Sequence, residues 1–186
     1  MPLNLLGDER GRVNYVTTGQ WSEGAISDVR KYADVTECTW NKETKYTTVA
    51  PSSDWKIDSE AQYVHYCDNE TVVGIEFNNF PFEKFKGQKV VCDMSSNFCS
   101  RPVDWSKFDV VYAGAQKNVG PSGSTIVVVR TSLIKEPSKK CPVVLDWNTY
   151  SKAATKWHNT PACYAIYMAG LNIEYMLENG GLEAME

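Results

Sequence analysis

The chain has 186 residues, of which 42% are hydrophobic and 23% are charged, and its formal net charge is −4. This length and composition suit one α/β domain with a substantial core and argue against a disordered chain. Lysines and arginines are scattered along the chain, so no basic surface for nucleic acid is predicted. No segment approaches membrane-spanning length and the N-terminus lacks a secretory signal, which predicts a cytoplasmic protein with no membrane partner.

The chain contains six cysteines and two histidines. No close pair of these residues has the spacing of zinc ligands, so we predict no metal site. We expect the cysteines to be reduced, and several lie in apolar runs where a free cysteine packs as a small hydrophobic residue. The six are Cys38, Cys67, Cys92, Cys99, Cys141 and Cys163.

In chain order, the first predicted elements are a helix and two strands. Residues 22–30 predict a helix that begins near Trp21. Residues 32–59 are polar and rich in Thr, Lys and Asp, which indicates a strand with connecting loops rather than a domain boundary. Residues 62–67 predict the next strand, and the polar stretch 68–71 follows it directly.

Two further strands end in chemically useful residues. The β-branched run 90–92 ends in Asp93, and the apolar run 109–113 leads into a turn of mostly small residues that carries Lys117. If these strands are parallel in one α/β sheet, the loops after them share its carboxyl edge, where ligands of open α/β sheets bind.

The last predicted elements are a strand and a helix. Residues 124–130 predict another buried strand. Residues 161–179 predict a helix that Gly180 and Gly181 end, with Pro161 able to occupy its first position.

Lys117 is the candidate for covalent chemistry. A lysine held at a strand end by small residues projects its amine from a rigid element, as bonding to an aldehyde cofactor requires, and we expect that amine to be desolvated. The alternative is an ordinary solvated surface lysine. For Asp93 the alternative to a functional role is a strand-end cap bonded to backbone amides.

Several segments together resemble the phosphoserine aminotransferases of the class V PLP-dependent aminotransferase family, where PLP is pyridoxal 5'-phosphate. The resemblance implies an α/β fold, the large domain of PLP-dependent transferase fold type I, with a mainly parallel sheet flanked by helices. It covers about the central half of the family's usual length. Residues 1–186 are therefore expected to form a partial PLP-binding large domain, without the family's N-terminal segment and small C-terminal domain. The segments are 18–22, 69–71, 74–77, 91–98, 100–104, 112–120 and 158–161.

The resemblance implies a role for each of five residues. Lys117 would bind PLP covalently and then act as general base and acid on the substrate. Asp93 would face the pyridine nitrogen and keep the ring protonated. Trp21 would stack on the ring, Thr71 would donate its hydroxyl near the ring oxygen or phosphate, and Gln116 would contact the phosphate.

Two more residues, Asn159 and Thr160, resemble the pair that reaches the phosphate of the other subunit in the family's homodimer. A turn leading into the following helix is the simpler explanation of the same residues, and the two are compatible. If the pair does complete the site, a monomer would bind PLP poorly.

The implied reaction converts 3-phosphohydroxypyruvate, a phosphorylated 2-oxo acid, and L-glutamate into O-phospho-L-serine and 2-oxoglutarate in serine biosynthesis. We expect little or no activity from this chain alone. One alternative is a catalytically silent fragment that acts as a dimerising interaction module. Within enzymes, the alternatives are an alanine–glyoxylate aminotransferase or a cysteine desulfurase, and the sequence around Asp93 and Lys117 argues against both.

Overall fold

A computed structural model describes residues 1–155 and 157–186. Six strands form one sheet in the order β2-β1-β3-β6-β7-β8, and β4 pairs with β5 in a small antiparallel ladder. The strands are β1 (Arg12–Val16), β2 (Asp34–Thr39), β3 (Tyr63–Cys67), β4 (Asn69–Glu70), β5 (Ile75–Glu76), β6 (Lys89–Asp93), β7 (Val110–Gly114) and β8 (Thr125–Val129). The helices are α1 (Pro2–Leu5), α2 (Gln20–Val29), α3 (Trp147–Lys152), α4 (Cys163–Glu178) and α5 (Gly181–Met185).

The sheet is mainly parallel, which confirms the predicted fold class. β1 pairs in parallel with β2 and β3, and β6 pairs in parallel with β3 and β7, whereas β8 is antiparallel to β7. The central strands are rich in valine and tyrosine and are buried on both faces along most of their length, as expected for parallel strands covered by other layers. One face packs around Tyr66 and Phe80 and the other around Tyr15 and Tyr63.

The strand order creates a crevice beside β1. From β1 the chain moves to β2 on one side and then returns to β3 on the other. The loops that leave β1 and β3 therefore diverge, and such a switch point is where open α/β sheets bind ligands.

β8 differs from the expected buried strand. Val127 and Val128 are each 40% exposed. The prediction was wrong because β8 is the outermost strand of the sheet and pairs on one side only. An apolar run does not distinguish a central strand from an edge strand.

Helix α4 begins later than predicted. Pro161 lies before the helix rather than at its first position, because the Cys163 backbone N–H donates to the Pro161 carbonyl at 2.8 Å and closes a tight turn. The φ of −72° and ψ of 73° at Ala162 correspond to an inverse γ-turn. The predicted end is confirmed, because Gly180 adopts φ 100°, in the left-handed region.

All six cysteines are free, as predicted; three are buried and Cys163 is exposed. Residues 1–155 and 157–186 contain no group of three or more His, Cys, Asp or Glu side chains suited to a metal ion. No helix in the described part of the chain is long and apolar enough to cross a membrane.

Candidate active site

The carboxyl edge of the sheet brings three of the predicted loops together. Cys67 at the end of β3 is the register partner of Asp93 at the end of β6, and Asp93 is the partner of Tyr112 on β7. Because parallel strands lie about 4.8 Å apart, the loops that follow them start side by side. The expectation that these loops share one edge is confirmed.

Asp93 is half-buried at the end of β6, and its role towards a cofactor stays a prediction. Its Oδ1 accepts a hydrogen bond from the Ser95 backbone N–H at 2.8 Å, as a strand-end cap would. The Ser95 hydroxyl accepts a bond from the Gly114 N–H at 3.0 Å. Ser95 therefore connects the ends of β6 and β7, and the Asp93 carboxylate, which the Tyr112 side chain also contacts, has lone pairs beyond this cap.

An aromatic layer lies on the Asp93 face of the sheet. The His65 ring stacks on Tyr15 with centroids 4.6 Å apart, and its Nε2 lies 2.9 Å from the Tyr112 hydroxyl. Burial lowers the pKa of His65 to about 4, although the Asp93 charge opposes that shift. Burial, followed by the Asp93 charge, raises the pKa of Tyr112 well above its ordinary value. Both rings are therefore neutral at pH 7.

Lys117 lies in the turn that follows β7, and its side chain is exposed. The expectation of a desolvated amine is therefore wrong for this chain. The turn itself is packed, with Ala115 and Val119 buried, but the described part of the chain leaves the Lys117 side chain uncovered. Within that part, Lys117 takes part in no ion pair.

Helix α4 holds the turn that carries Lys117. Asn172 Nδ2 donates to the carbonyls of Asn118 and Val119 at 2.6 and 3.1 Å. Gly120 packs against the same helix so closely that a Cβ there would lie 3.1 Å from the Ala169 Cα. The Lys117 side chain is thus exposed, but helix α4 fixes the backbone that carries it.

Gln116 is exposed beside the lysine, and its side chain folds back over Gly114. A Cβ on Gly114 would collide with the Gln116 amide, so glycine at this position makes room for that side chain. The amide can offer two N–H donors at the same edge as Lys117.

Trp21, in the first turn of α2, and Thr71, directly after β4, meet at the switch point. The indole Nε1–H donates to the Thr71 hydroxyl at 3.2 Å, and the Trp21 ring remains 51% exposed. An exposed indole that is held at one edge offers a flat apolar face to a ligand. The structure therefore brings together Trp21 and Thr71, which the family resemblance assigned to the same cofactor.

Glu70 is a functional candidate that the sequence reasoning missed. It is fully buried, and it accepts bonds from the backbone N–H groups of Trp21 and Ser22 at 3.0 and 2.8 Å. The signal available in the sequence was a carboxylate between Asn69 and Thr71, which no local partner could neutralise. Its partner Trp21 is 49 residues away in the sequence, so no local pattern reveals the contact.

Asn159 and Thr160 lie in the segment before α4 rather than in a loop that follows a strand. Both are exposed in the segment before α4, and Asn159 Nδ2 donates to the Thr160 carbonyl at 3.2 Å. Across residues 1–155 and 157–186, neither forms a hydrogen bond with the other five candidates. Their approach to the site of a second subunit stays a prediction.

Comparison with known proteins gives a consistent family. The chain is 44% identical over 186 residues to phosphoserine aminotransferase 2, chloroplastic, from Arabidopsis thaliana, covering 100% of this chain and 44% of that protein. The phosphoserine aminotransferase from Bacillus circulans subsp. alkalophilus superposes with a TM-score of 0.90 at 36% identity, over 99% of this chain and 50% of that one. The PLP-bound phosphoserine aminotransferase from Trichomonas vaginalis has a TM-score of 0.90 at 35% identity, over 99% and 51%.

The chain spans about half the length of these relatives. The sequence model described as "Aminotransferase class-V" matches residues 4–186, nearly all of the chain. A match of this extent, together with the strand order and the shared sheet edge, assigns the family. The chain belongs to the class-V aminotransferases.

Proposed function

We propose that the chain is the PLP-binding part of a phosphoserine aminotransferase, with residues 1–186 forming a partial large domain. The reaction transfers the amino group of L-glutamate to 3-phosphohydroxypyruvate, which yields O-phospho-L-serine and 2-oxoglutarate for serine biosynthesis. The observation that carries the proposal is the convergence of Trp21, Thr71, Asp93 and Lys117 at one edge of the sheet. The identity to phosphoserine aminotransferases supports the substrate assignment.

The donor set at this edge fits PLP. A flat pyridine ring matches the exposed Trp21 face, and a protonated ring nitrogen matches the Asp93 carboxylate, which has one oxygen outside its cap. An aldehyde needs a primary amine, and the Lys117 amine is accessible. Phosphate and phenolic oxygens suit the Gln116 amide and the Thr71 hydroxyl as neutral donors. The PLP-bound relative supports this choice of cofactor.

When bound, PLP withdraws electrons from the α-carbon of the amino acid that it carries. The residues of this chain have simpler tasks. Lys117, freed when the substrate amine displaces it, would take the proton from the substrate α-carbon and deliver it to the carbon that was the cofactor's aldehyde. Asp93 would favour the protonated ring nitrogen by its negative charge. Trp21 covers one face and excludes water from it, and Thr71 and Gln116 orient the oxygens.

A homodimer with Asn159 and Thr160 reaching the partner's cofactor is part of the same proposal. Both residues are exposed, so they are free to contact a second subunit. We propose a cytoplasmic location and small-molecule substrates only. We also propose that this chain alone has little activity, because the donor set contains no arginine pair for a phosphorylated dianion.

The test is a PLP titration followed by mapping. The purified chain is titrated with PLP, the visible absorbance is recorded, and borohydride reduction followed by peptide mapping identifies the lysine attached to the cofactor. We expect label on Lys117, none in Lys117→Ala, and unchanged labelling in Lys84→Ala, whose lysine is also exposed. Label scattered over many lysines would contradict the proposal.

A second candidate function is a catalytically silent module that dimerises with intact subunits. Helix α4 favours it, because Tyr164, Tyr167, Tyr175 and Leu177 are between 61% and 73% exposed. An apolar surface of this kind marks an interface. Co-expression with an intact phosphoserine aminotransferase and mass analysis of the dimers tests it, and the absence of mixed dimers would count against it.

A further inference from the structure

The first turn of α2 is hydrogen-bonded to the buried carboxylate of Glu70. Glu70 Oε2 accepts from the Trp21 backbone N–H at 3.0 Å, and Oε1 accepts from the Ser22 N–H at 2.8 Å and from the Ser22 hydroxyl at 2.6 Å. These donors come from the first turn of a helix, whose N–H groups have no partners within the helix. Both oxygens of one carboxylate are thereby engaged at a helix start.

The burial of Glu70 makes these bonds necessary. Its side chain is 0% exposed, and among the described lysines and arginines none pairs with it. A buried carboxylate without a cation depends on hydrogen-bond donors and on the positive end of a helix. Glu70 therefore holds the first turn of α2 tightly, because releasing the turn would leave the carboxylate without partners.

The Glu70 carboxylate lies so close to the backbone of residue 19 that only glycine fits there. A Cβ at Gly19 would lie 2.7 Å from both Cδ and Oε2 of Glu70. No side chain fits there while the carboxylate keeps its position. The segment before Trp21 is thus shaped around Glu70.

Trp21 is held at two points by two consecutive residues. Its backbone N–H bonds to Glu70 and its indole N–H bonds to Thr71 at 3.2 Å. An indole with half of its surface in solvent would otherwise sample several rotamers. Two anchors on one loop fix both the position of the Trp21 Cα and the direction of its ring.

We propose that Glu70 is a positioning residue that, with Thr71, sets the plane of the Trp21 ring at the mouth of the crevice. The proposal rests on the proposed function, since that ring is the surface on which the cofactor stacks. Glu70 acts through Trp21 and does not itself contact the cofactor. A misplaced ring then weakens cofactor binding without any change in the groups that touch the cofactor's polar atoms.

Glu70→Gln isolates this role. One oxygen of the amide can keep both Ser22 donors, and the NH₂ group then faces the Trp21 N–H, donor against donor. Thr71→Val removes the indole acceptor at constant shape, and Thr71→Ser restores it. The two substitutions loosen the Trp21 ring from its two different anchors.

The experiment follows the ring directly. The chain is labelled with 5-fluorotryptophan, and Trp21→Phe and Trp105→Phe assign two ¹⁹F resonances, Trp105 being 45% exposed as an internal control. In the absence of PLP we expect Glu70→Gln and Thr71→Val to shift or broaden the Trp21 resonance and leave that of Trp105 unchanged. Thr71→Ser should retain the original Trp21 signal. With PLP added, Glu70→Gln should weaken binding about tenfold.

An unchanged Trp21 resonance in Thr71→Val overturns the proposal, and this variant keeps the test valid if Glu70→Gln fails to fold. An unchanged affinity for PLP in a folded Glu70→Gln chain also overturns the proposal. If the unaltered chain shows no PLP absorbance, the proposed function fails. The ¹⁹F spectra of the cofactor-free chain still decide whether Glu70 and Thr71 set the ring.

Discussion

The Nε2 of His65 and the hydroxyl of Tyr112 lie 2.9 Å apart, and the two residues belong to β3 and β7, the strands on either side of β6. The contact therefore crosses over β6 on the face from which Asp93 projects. His65 Nδ1 has no hydrogen-bond partner among the described residues. The Tyr112 hydroxyl is thus the one polar contact that the described chain gives this buried ring, and both lie next to a proposed catalytic carboxylate.

Tyr112→Phe tests the energy of this contact. The substitution keeps the ring and removes the hydroxyl, so His65 is left with no hydrogen-bond partner in a fully buried position. We expect a loss of about 1–3 kcal/mol in the free energy of unfolding, measured by urea denaturation. Tyr32→Phe is the control, because Tyr32 is 43% exposed and its change should leave that free energy within about 0.5 kcal/mol. Equal effects of the two substitutions would contradict this expectation.

His65 predicts a pH dependence of stability. Its pKa in the folded chain is about 4 against an ordinary 6.5, so folding favours the neutral ring. The stability it contributes is complete above about pH 6.5 and is lost as the pH falls towards 4, by about 3 kcal/mol in total. Urea midpoints measured between about pH 7.5 and pH 4.5 should show this decline.

His65→Gln should reduce that decline, since glutamine can still bond to Tyr112 but does not titrate. His158→Gln is the matched control, because it removes the exposed histidine. We expect the control to keep the pH dependence of the unaltered chain. A decline of the same size in His65→Gln would mean that other groups cause it.

The two glycines near and in α2 should respond in opposite directions to alanine. Gly19→Ala places a Cβ 2.7 Å from the buried Glu70 carboxylate and should cost about 1–3 kcal/mol in unfolding free energy. Gly24 lies inside the helix with nothing within 4 Å of its Cβ position, so Gly24→Ala should stabilise the chain by about 0.5–1 kcal/mol. Thermal or urea unfolding measures both, and a tolerated Gly19→Ala would show that the carboxylate moves easily.

Asn172 should control the rigidity of the turn that carries Lys117. Asn172→Ala removes two side-chain bonds to the carbonyls of Asn118 and Val119. We expect faster amide hydrogen exchange across residues 115–120 and a stability loss of about 1–2 kcal/mol. Asn179→Ala is the control at the exposed end of the same helix, where the side chain donates to the Tyr175 carbonyl. Unchanged exchange in Asn172→Ala would show that the turn holds its own shape.

Much of the fold was predictable because its signals are local. The strands ending at Cys67, Asp93 and Gly114 read as short apolar runs followed by polar loops, and their parallel pairing explains why those loops meet. Gly180 ended α4 as expected, because a left-handed residue after a helix is a local requirement.

Three predictions were wrong because they depended on what lies outside each segment. Lys117 was expected to be desolvated and is exposed, since the described residues pack against its turn but leave its side chain uncovered. β8 was expected to be buried and forms an edge, because strand order is a property of the whole sheet. Pro161 was expected inside α4 and precedes it, because an inverse γ-turn at Ala162 intervenes.

The sequence by itself determined which residue types stand at the strand ends, and with them the predicted chemistry of a lysine, an aspartate and an indole. Only the tertiary structure decided how these groups are supported. Glu70 reaches Trp21 across 49 residues and His65 reaches Tyr112 across 47, so neither partnership leaves a trace in local sequence. The physical reason is that a polar group needs a hydrogen-bond partner only when it is buried. Burial arises only after distant segments have packed together.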